Sequence, residues 1–313
     1  MRETFIESAG WALIHSLWQS AAIAAIWGTF NLALRRASAN TRYLLAYLAL
    51  LAMPIAGISG FISLAQHDEP VVAVGTWAPI GAVTPVAIRQ SAGLAPAAPP
   101  PYLGMVVWLW LSGVMAMSVW SAAGWVAAQR LKRRSTKAFP EAWQRRLRVL
   151  ANRLAIRRTV RLCESALARV PAVIGWLRPV ILVPAGALAN LSPEELEAVL
   201  AHELAHVRRL DYVANLLQSA IEIVMFYHPA VWWLSKRVRA ERENCCDDLA
   251  VAACGNRVIY ARALTALEEF RSARPQFMMA ATGGPLVTRI RRLLGHDEPR
   301  RRSLPVWAAL ATS

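Results

Sequence analysis

The chain has 313 residues, 56% of them hydrophobic, and a formal net charge of +15. A mean hydropathy of +0.33 beside that charge excludes an evenly mixed soluble surface, so apolar and basic residues must be segregated along the sequence. They are.

Residues 8–34, 43–66 and 102–128 contain no formally charged side chain, and each exceeds the roughly 20 residues a helix needs to cross the hydrocarbon layer. Three transmembrane helices are therefore expected in 1–129. Glu3 and Glu7 precede the first run where a signal peptide would carry basic residues, so a cleavable signal is not expected. Arg35, Arg36 and Arg42 lie between the first two runs, whereas 67–101 has Arg89 as its only Arg or Lys. Arg130, Lys132, Arg133, Arg134 and Lys137 follow the third run. The positive-inside bias then puts the N-terminus outside and 130–300 in the cytoplasm. Cys163, Cys245, Cys246 and Cys254 would sit in a reducing compartment as free thiols.

Residues 130–160 combine Arg and Lys with an amphipathic helical pattern at Trp143, Leu147, Leu150 and Leu154. Anionic lipid is the expected partner. Direct nucleic-acid binding is not expected, because no recognised motif accompanies the charge. Short strands are expected at 159–163, 172–176 and 180–183, and one of them could take substrate backbone at an edge.

The next segment, Leu191-Ser192-Pro193-Glu194-Glu195-Leu196, reads as a helix start with Ser192 as N-cap, Pro193 first in the helix and Glu195 closing a capping box. The helix runs into His202-Glu203-Leu204-Ala205-His206. Positions i and i+4 share a helix face, so both imidazoles can meet one Zn²⁺ at roughly 2.0–2.1 Å. Glu203, one residue on from the first histidine, is placed as the general base that metal-assisted amide hydrolysis requires.

Residues 212–235 form a fourth apolar run of near-spanning length. Glu222 within it and the His228-Pro229 break near its end predict a non-spanning course, since a full transit would separate the two halves of the site. His228 fits either an oxyanion or substrate contact or a hydrogen-bonded packing role. A second helix over 239–248 places Glu243, Cys246 and Asp247 on one face, with Glu243 as third-ligand candidate and Glu241 as its competitor. Asp247 is placed to accept the other ring N–H of a ligating histidine, and Cys246 reads as a small buried hydrophobe more readily than as an extra ligand. Farther on come a helix over 257–270, a linker, and a basic helix over 286–294, none with visible chemistry. Residues 301–313 read as the opening of a further span.

The segments 202–211, Tyr227-His228-Pro229-Ala230-Val231-Trp232-Trp233, and Glu241-Arg242-Glu243 with Cys246-Asp247 resemble the membrane metallopeptidases of the beta-lactam sensor-transducers, the BlaR/MecR type. So do residues 10–19, similar to the first membrane helix of that family, and 175–184 ahead of the catalytic helix. The resemblance implies that His202 and His206 are ligands, Glu203 the base, and Glu243, as the Glu of an ExxxD motif, the third ligand. Asp211, Asp247 and His228 are carried as supporting or substrate-binding residues. The chain ends at Ser313 without the penicillin-binding sensor domain that many such proteins carry, so beta-lactam sensing is not among the expectations.

The reading is thus an α-helical polytopic membrane protein with a cytoplasmic α+β zincin domain of gluzincin-like type, holding one Zn²⁺ per chain. It is expected to be an endopeptidase in signal transduction. By the resemblance it cleaves a cytoplasmic transcriptional repressor or itself, and a homodimer is among the arrangements expected. Two rivals stand beside it. A membrane transporter or scaffold with an incidental HExxH would bind no metal, and a catalytically silent signalling relative would keep the metal without turnover.

Overall fold

The computed structural model describes residues 2–66, 100, 102–133, 136–168, 170–272 and 283–295. The loop expected over 67–99 and the expected span opening at 301–313 lie outside them. The chain divides into two compact units, one made of 1–122 with 218–238 and the other of 123–217 with 239–313.

In the first unit, α1 (Arg2–Ala33) pairs with α2 (Ala39–Gln66) and brings a face of small residues to the contact. Ser8, Ala12, Ser16, Ser20 and Ala24 recur every four residues on α1 and are buried. Such a face lets two apolar helices close without any gain from excluding water. A Cβ on Gly57 would lie 3.7 Å from Ser16, and one on Gly60 3.6 Å from the Gln19 amide. Among the described residues, two helices are long and apolar enough to cross a membrane: α2, and α3 (Tyr102–Arg133) over 102–132. The first expected run, 8–34, does fall in a 32-residue helix, α1, but its apolar content is diluted by His15, Ser16, Gln19 and Ser20.

The apolar run 212–235 is no single helix. It is divided between α7 (Asp211–Val224) and α8 (Pro229–Cys254) by a turn over 225–228. Fourteen residues of α7 make about 21 Å of helix, short of a hydrocarbon core. The turn is fastened within the unit: Trp110 Nε1 donates to Val224 O at 2.8 Å and Tyr227 OH meets Ser16 Oγ at 2.7 Å. Glu222 is buried with acceptor duties discharged, taking hydrogen bonds from Ser235 Oγ at 2.5 Å and Gln218 Nε2 at 3.0 Å.

The second unit holds a four-stranded sheet in the order β1 (Thr136–Ala138), β2 (Arg161–Ser165), β4 (Val180–Pro184), β3 (Ala172–Ile174). Strands β2 and β4 are parallel, with Cys163 opposite Leu182, and the outer pairs are antiparallel. β4 is buried along its whole length, as the continuous apolar run Val180-Ile181-Leu182-Val183 requires. Strand β1 was not foreseen, since Thr136-Lys137-Ala138 has no period of its own. The basic segment forms α4 (Glu141–Arg153), which buries Leu147 and Leu150 and leaves Arg145, Arg146 and Arg148 exposed. A short helix, α5 (Ala187–Asn190), leads to α6 (Pro193–Arg209). Its capping box is formed in both directions: Glu195 N donates to Ser192 Oγ at 3.2 Å and Ser192 N to Glu195 Oε2 at 2.9 Å. Leu196, Leu200 and Leu204 of α6 join Leu162 and Ile181 in one core with Tyr260 of α9 (Arg257–Ser272) and Leu293 of α10 (Gly283–Leu293).

Candidate metal centre

Helix α6 carries His202 and His206 one turn apart, and their Nε2 atoms stand 3.2 Å from each other. Glu243 of α8 brings Oε2 to 3.5 Å from His202 Nε2 and Oε1 to 3.8 Å from His206 Nε2. The three donor atoms lie within 4.8 Å of one another.

What the other ring nitrogens do decides whether that cluster suits a cation. His206 Nδ1 donates to Asp211 Oδ2 at 2.8 Å, and the buried Cys246 thiol donates to the same oxygen at 3.3 Å. His202 Nδ1 is 2.8 Å from the Tyr260 hydroxyl, which itself donates to Asp247 Oδ1 at 2.6 Å, so the ring N–H points at Tyr260. With both Nδ1 atoms protonated, two Nε2 lone pairs and a carboxylate face one small volume. In the absence of a metal, a proton on His202 relieves their repulsion. Two imidazole nitrogens on tetrahedral zinc stand about 3.3 Å apart, which the 3.2 Å separation matches. His202, His206 and Glu243 could therefore hold a metal ion.

Arg289 closes the back of the cluster. Its Nε and Nη2 donate to the two oxygens of Asp247 at 2.9 and 2.5 Å, and its Nη1 lies 3.4 Å from Glu243 Oε2. Burial opposes charge on Glu243, but His202, His206 and Arg289 overcome it and hold the carboxyl at about 2. Burial likewise lowers the His202 pKa, and its hydrogen bonds to Asp247 and Glu243 outweigh that and raise it to about 9. Burial pushes Glu203 upward, with the two histidines opposing.

A cavity of about 370 Å³ opens on the cluster and is lined by His202, Glu203, His206 and Glu243, with Val173 and Trp176 of the β3–β4 hairpin on its wall. Glu203 is 8% exposed, so a water in the cavity can reach its carboxylate while bulk solvent is largely excluded.

The structure thus brings together His202, Glu203, His206 and Glu243, with Asp211 and Asp247 behind them. Asp247 is 3.4 Å from His202 Nδ1 and acts chiefly through Tyr260, a more indirect contact than expected. Glu241 turns instead to Asn244 Nδ2 at 3.0 Å and is no part of the cluster. Of the two roles open to His228, the structure shows the hydrogen-bonded packing one: Ala230 N donates to its Nδ1 at 3.1 Å and its Nε2 donates to Leu17 O at 2.9 Å, so neither nitrogen is free for substrate. Cys246 is fully buried on the Nδ1 side of His206, away from the converging Nε2 atoms. No chemistry is visible in the sequence beyond Cys254, yet Tyr260 and Arg289 of that region support the cluster. A buried tyrosine must find a partner for its hydroxyl, which was the one available signal; Arg289 gave none.

A histidine pair and a carboxylate converging beside a buried glutamate, in a chain with long apolar helices, is an arrangement that suits a membrane metallopeptidase. Residues 12–293 match the BlaR1 peptidase M56 family, and the chain belongs to it. Over 86 residues it is 37% identical to the regulatory protein BlaR1 of Bacillus licheniformis, covering 28% of this chain and 14% of that protein. It is 26% identical over 77 residues to the methicillin resistance mecR1 protein of Staphylococcus aureus, 25% of this chain and 13% of the relative. A protease HtpX homolog of Limosilactobacillus reuteri is 29% identical over 109 residues, 33% of this chain and 37% of the relative. The matches thus span well under half the length of these relatives.

Proposed function

We propose that this protein is an integral-membrane, zinc-dependent endopeptidase that acts in signal transduction by cleaving a cytoplasmic regulator, such as a transcriptional repressor, or itself. The observation that carries the reading is the convergence of two Nε2 atoms and the Glu243 carboxylate on one volume while both Nδ1 atoms are tied off by Asp211 and Tyr260. His202, His206 and Glu243 would hold one Zn²⁺, which when bound supplies Lewis-acid polarisation and lowers the pKa of water.

The rest falls to the chain. Glu203 takes the proton of the attacking water and delivers it to the amine nitrogen as the peptide bond breaks. Burial raises the proton affinity of this carboxylate, which suits it to that exchange. Asp211, Tyr260 and Asp247 fix the histidine tautomers. The wall at β3 offers the edge of the sheet to an extended chain.

The wider reading keeps three transmembrane helices with the N-terminus outside, a cytoplasmic gluzincin-like domain, and anionic lipid as partner of the basic segment around α4. The Arg and Lys distribution supports that orientation. The test compares the proteins cleaved in cells carrying the native chain and in cells carrying Glu203→Ala. A regulator whose cleavage requires Glu203 supports the proposal; indistinguishable cleavage profiles, with the native chain zinc-loaded, favour the silent relative.

A further inference from the structure

The turn of the β3–β4 hairpin ends in exposed apolar side chains, Trp176 at 49% and Leu177 at 69%. Cationic groups surround it. Arg178 is exposed in the turn itself, Arg158 Nη1 donates to Trp176 O at 2.7 Å, and Lys132 Nζ donates to Arg178 O at 3.2 Å. Gly175, at φ +94°, makes the turn possible, and a Cβ there would crowd Lys132 Nζ at 3.1 Å and Arg178 O at 3.3 Å.

Lys132 belongs to the last turn of α3, one of the two helices long and apolar enough to span a membrane. Its neighbours Ala128 and Leu131 pack on Ile174, Val180 and Leu182, so the hairpin is seated on the end of that helix. A second attachment lies about 10 Å back along α3, where Trp125 Nε1 donates to Tyr212 OH at 3.0 Å. Trp176 and Tyr212 both line the metal cavity. Trp, Tyr, Lys and Arg at the end of an apolar helix are the residues that settle at headgroup level.

We propose that the Trp176-Leu177 tip is an interfacial anchor: its apolar side chains enter the headgroup layer, while Arg158, Arg178 and Lys132 bind acidic phospholipid headgroups. The cavity then opens at the membrane surface and receives polypeptide segments presented there. This rests on α3 being a span.

The test uses full-length protein in lipid nanodiscs, with Cys163 and Cys254 replaced by serine. A nitroxide is placed at Leu177→Cys, at Met115→Cys on the exposed apolar face of α3, or at Glu194→Cys on the exposed start of α6. Collision with oxygen and with a nickel chelate reports depth. The label at 177 should be shielded from nickel relative to 194, more so when phosphatidylglycerol is added to phosphatidylcholine, and Trp176→Cys should give the same pattern. Arg158→Gln with Arg178→Gln should abolish the phosphatidylglycerol dependence. A label at 177 as nickel-accessible as that at 194, with 115 shielded, overturns the anchor and makes the tip a surface for a soluble protein. Nickel access at 115 overturns the span itself, and with it the anchor. Equal shielding in the two lipids overturns the role of acidic headgroups.

Discussion

The Tyr260 hydroxyl stands between His202 and Asp247, 2.8 Å from the imidazole Nδ1 and 2.6 Å from the carboxylate. Because His202 and, on the far side, Arg289 overcome burial and hold Asp247 ionised, the hydroxyl proton is drawn to Asp247, and a lone pair is left for the His202 N–H. The relay therefore keeps one ring hydrogen on Nδ1, so that Nε2 is the nitrogen that gives up its proton to a metal. Tyr260→Phe should lower zinc affinity roughly 10- to 100-fold, the usual loss when a ligand's supporting partner is removed. Arg289→Gln should act in the same direction, and the double variant should lose less than the two single losses added, because both act along one chain. Arg292→Gln, which touches Asp248 and the Asn244 carbonyl instead, should bind zinc normally. Chelator competition on purified protein reads all four.

Two glutamates two residues apart on α8 have opposite surroundings. Glu243 faces the histidines and Glu241 faces Asn244. Glu243→Ala should strip most zinc from the purified protein, while Glu241→Ala keeps it. The reverse ranking in a metal assay would move the third ligand to Glu241.

Zinc and a proton compete for His202. In the metal-free protein its pKa is raised from 6.5 to about 9, so the stabilisation it gains is full below pH 6.5 and is lost as pH rises through 9. Glu243, lowered from 4.5 to about 2, contributes stability that is present above pH 4.5 and is lost as pH falls through 2. The His202–Glu243 contact enters both shifts and counts once, while the His202 shift also contains its contact with Asp247. Zinc binding must expel the His202 proton, so affinity should rise with pH until about pH 9. Calorimetry in buffers of different ionisation enthalpy should show proton release at pH 7; its absence would place that proton elsewhere.

Gly113 of α3 lies under the Phe226 ring, and a Cβ there would stand 2.1 Å from Cζ. Gly113→Ala should therefore lower the thermal unfolding midpoint, with a cost of roughly 1–3 kcal/mol expected for overpacking. Phe226→Leu in the same chain should recover part of it. A midpoint unmoved by Gly113→Ala would show that the ring is free to shift.

Local rules made half of the site legible. The capping box at Ser192 and Glu195, the i, i+4 histidines and the Glu243/Asp247 spacing are all relations within a single helix, where sequence distance fixes spatial distance. Tyr260 and Arg289 reach the site only because α9 and α10 pack against α6 in a shared core, a tertiary relation with no local period. His228 stayed open between two roles for the same reason: a histidine before proline announces a polar role, and only packing reveals that both its partners are backbone groups. The long apolar helices were plain from uncharged length, whereas β1 pairs only through its neighbour β2.

In the proposed reaction Glu203 moves protons and does not hold the metal. Purified native protein and Glu203→Gln should each contain one zinc per chain, and the native protein alone should hydrolyse a peptide substrate. Zinc missing from a folded Glu203→Gln protein, or undiminished hydrolysis by it, would contradict the account.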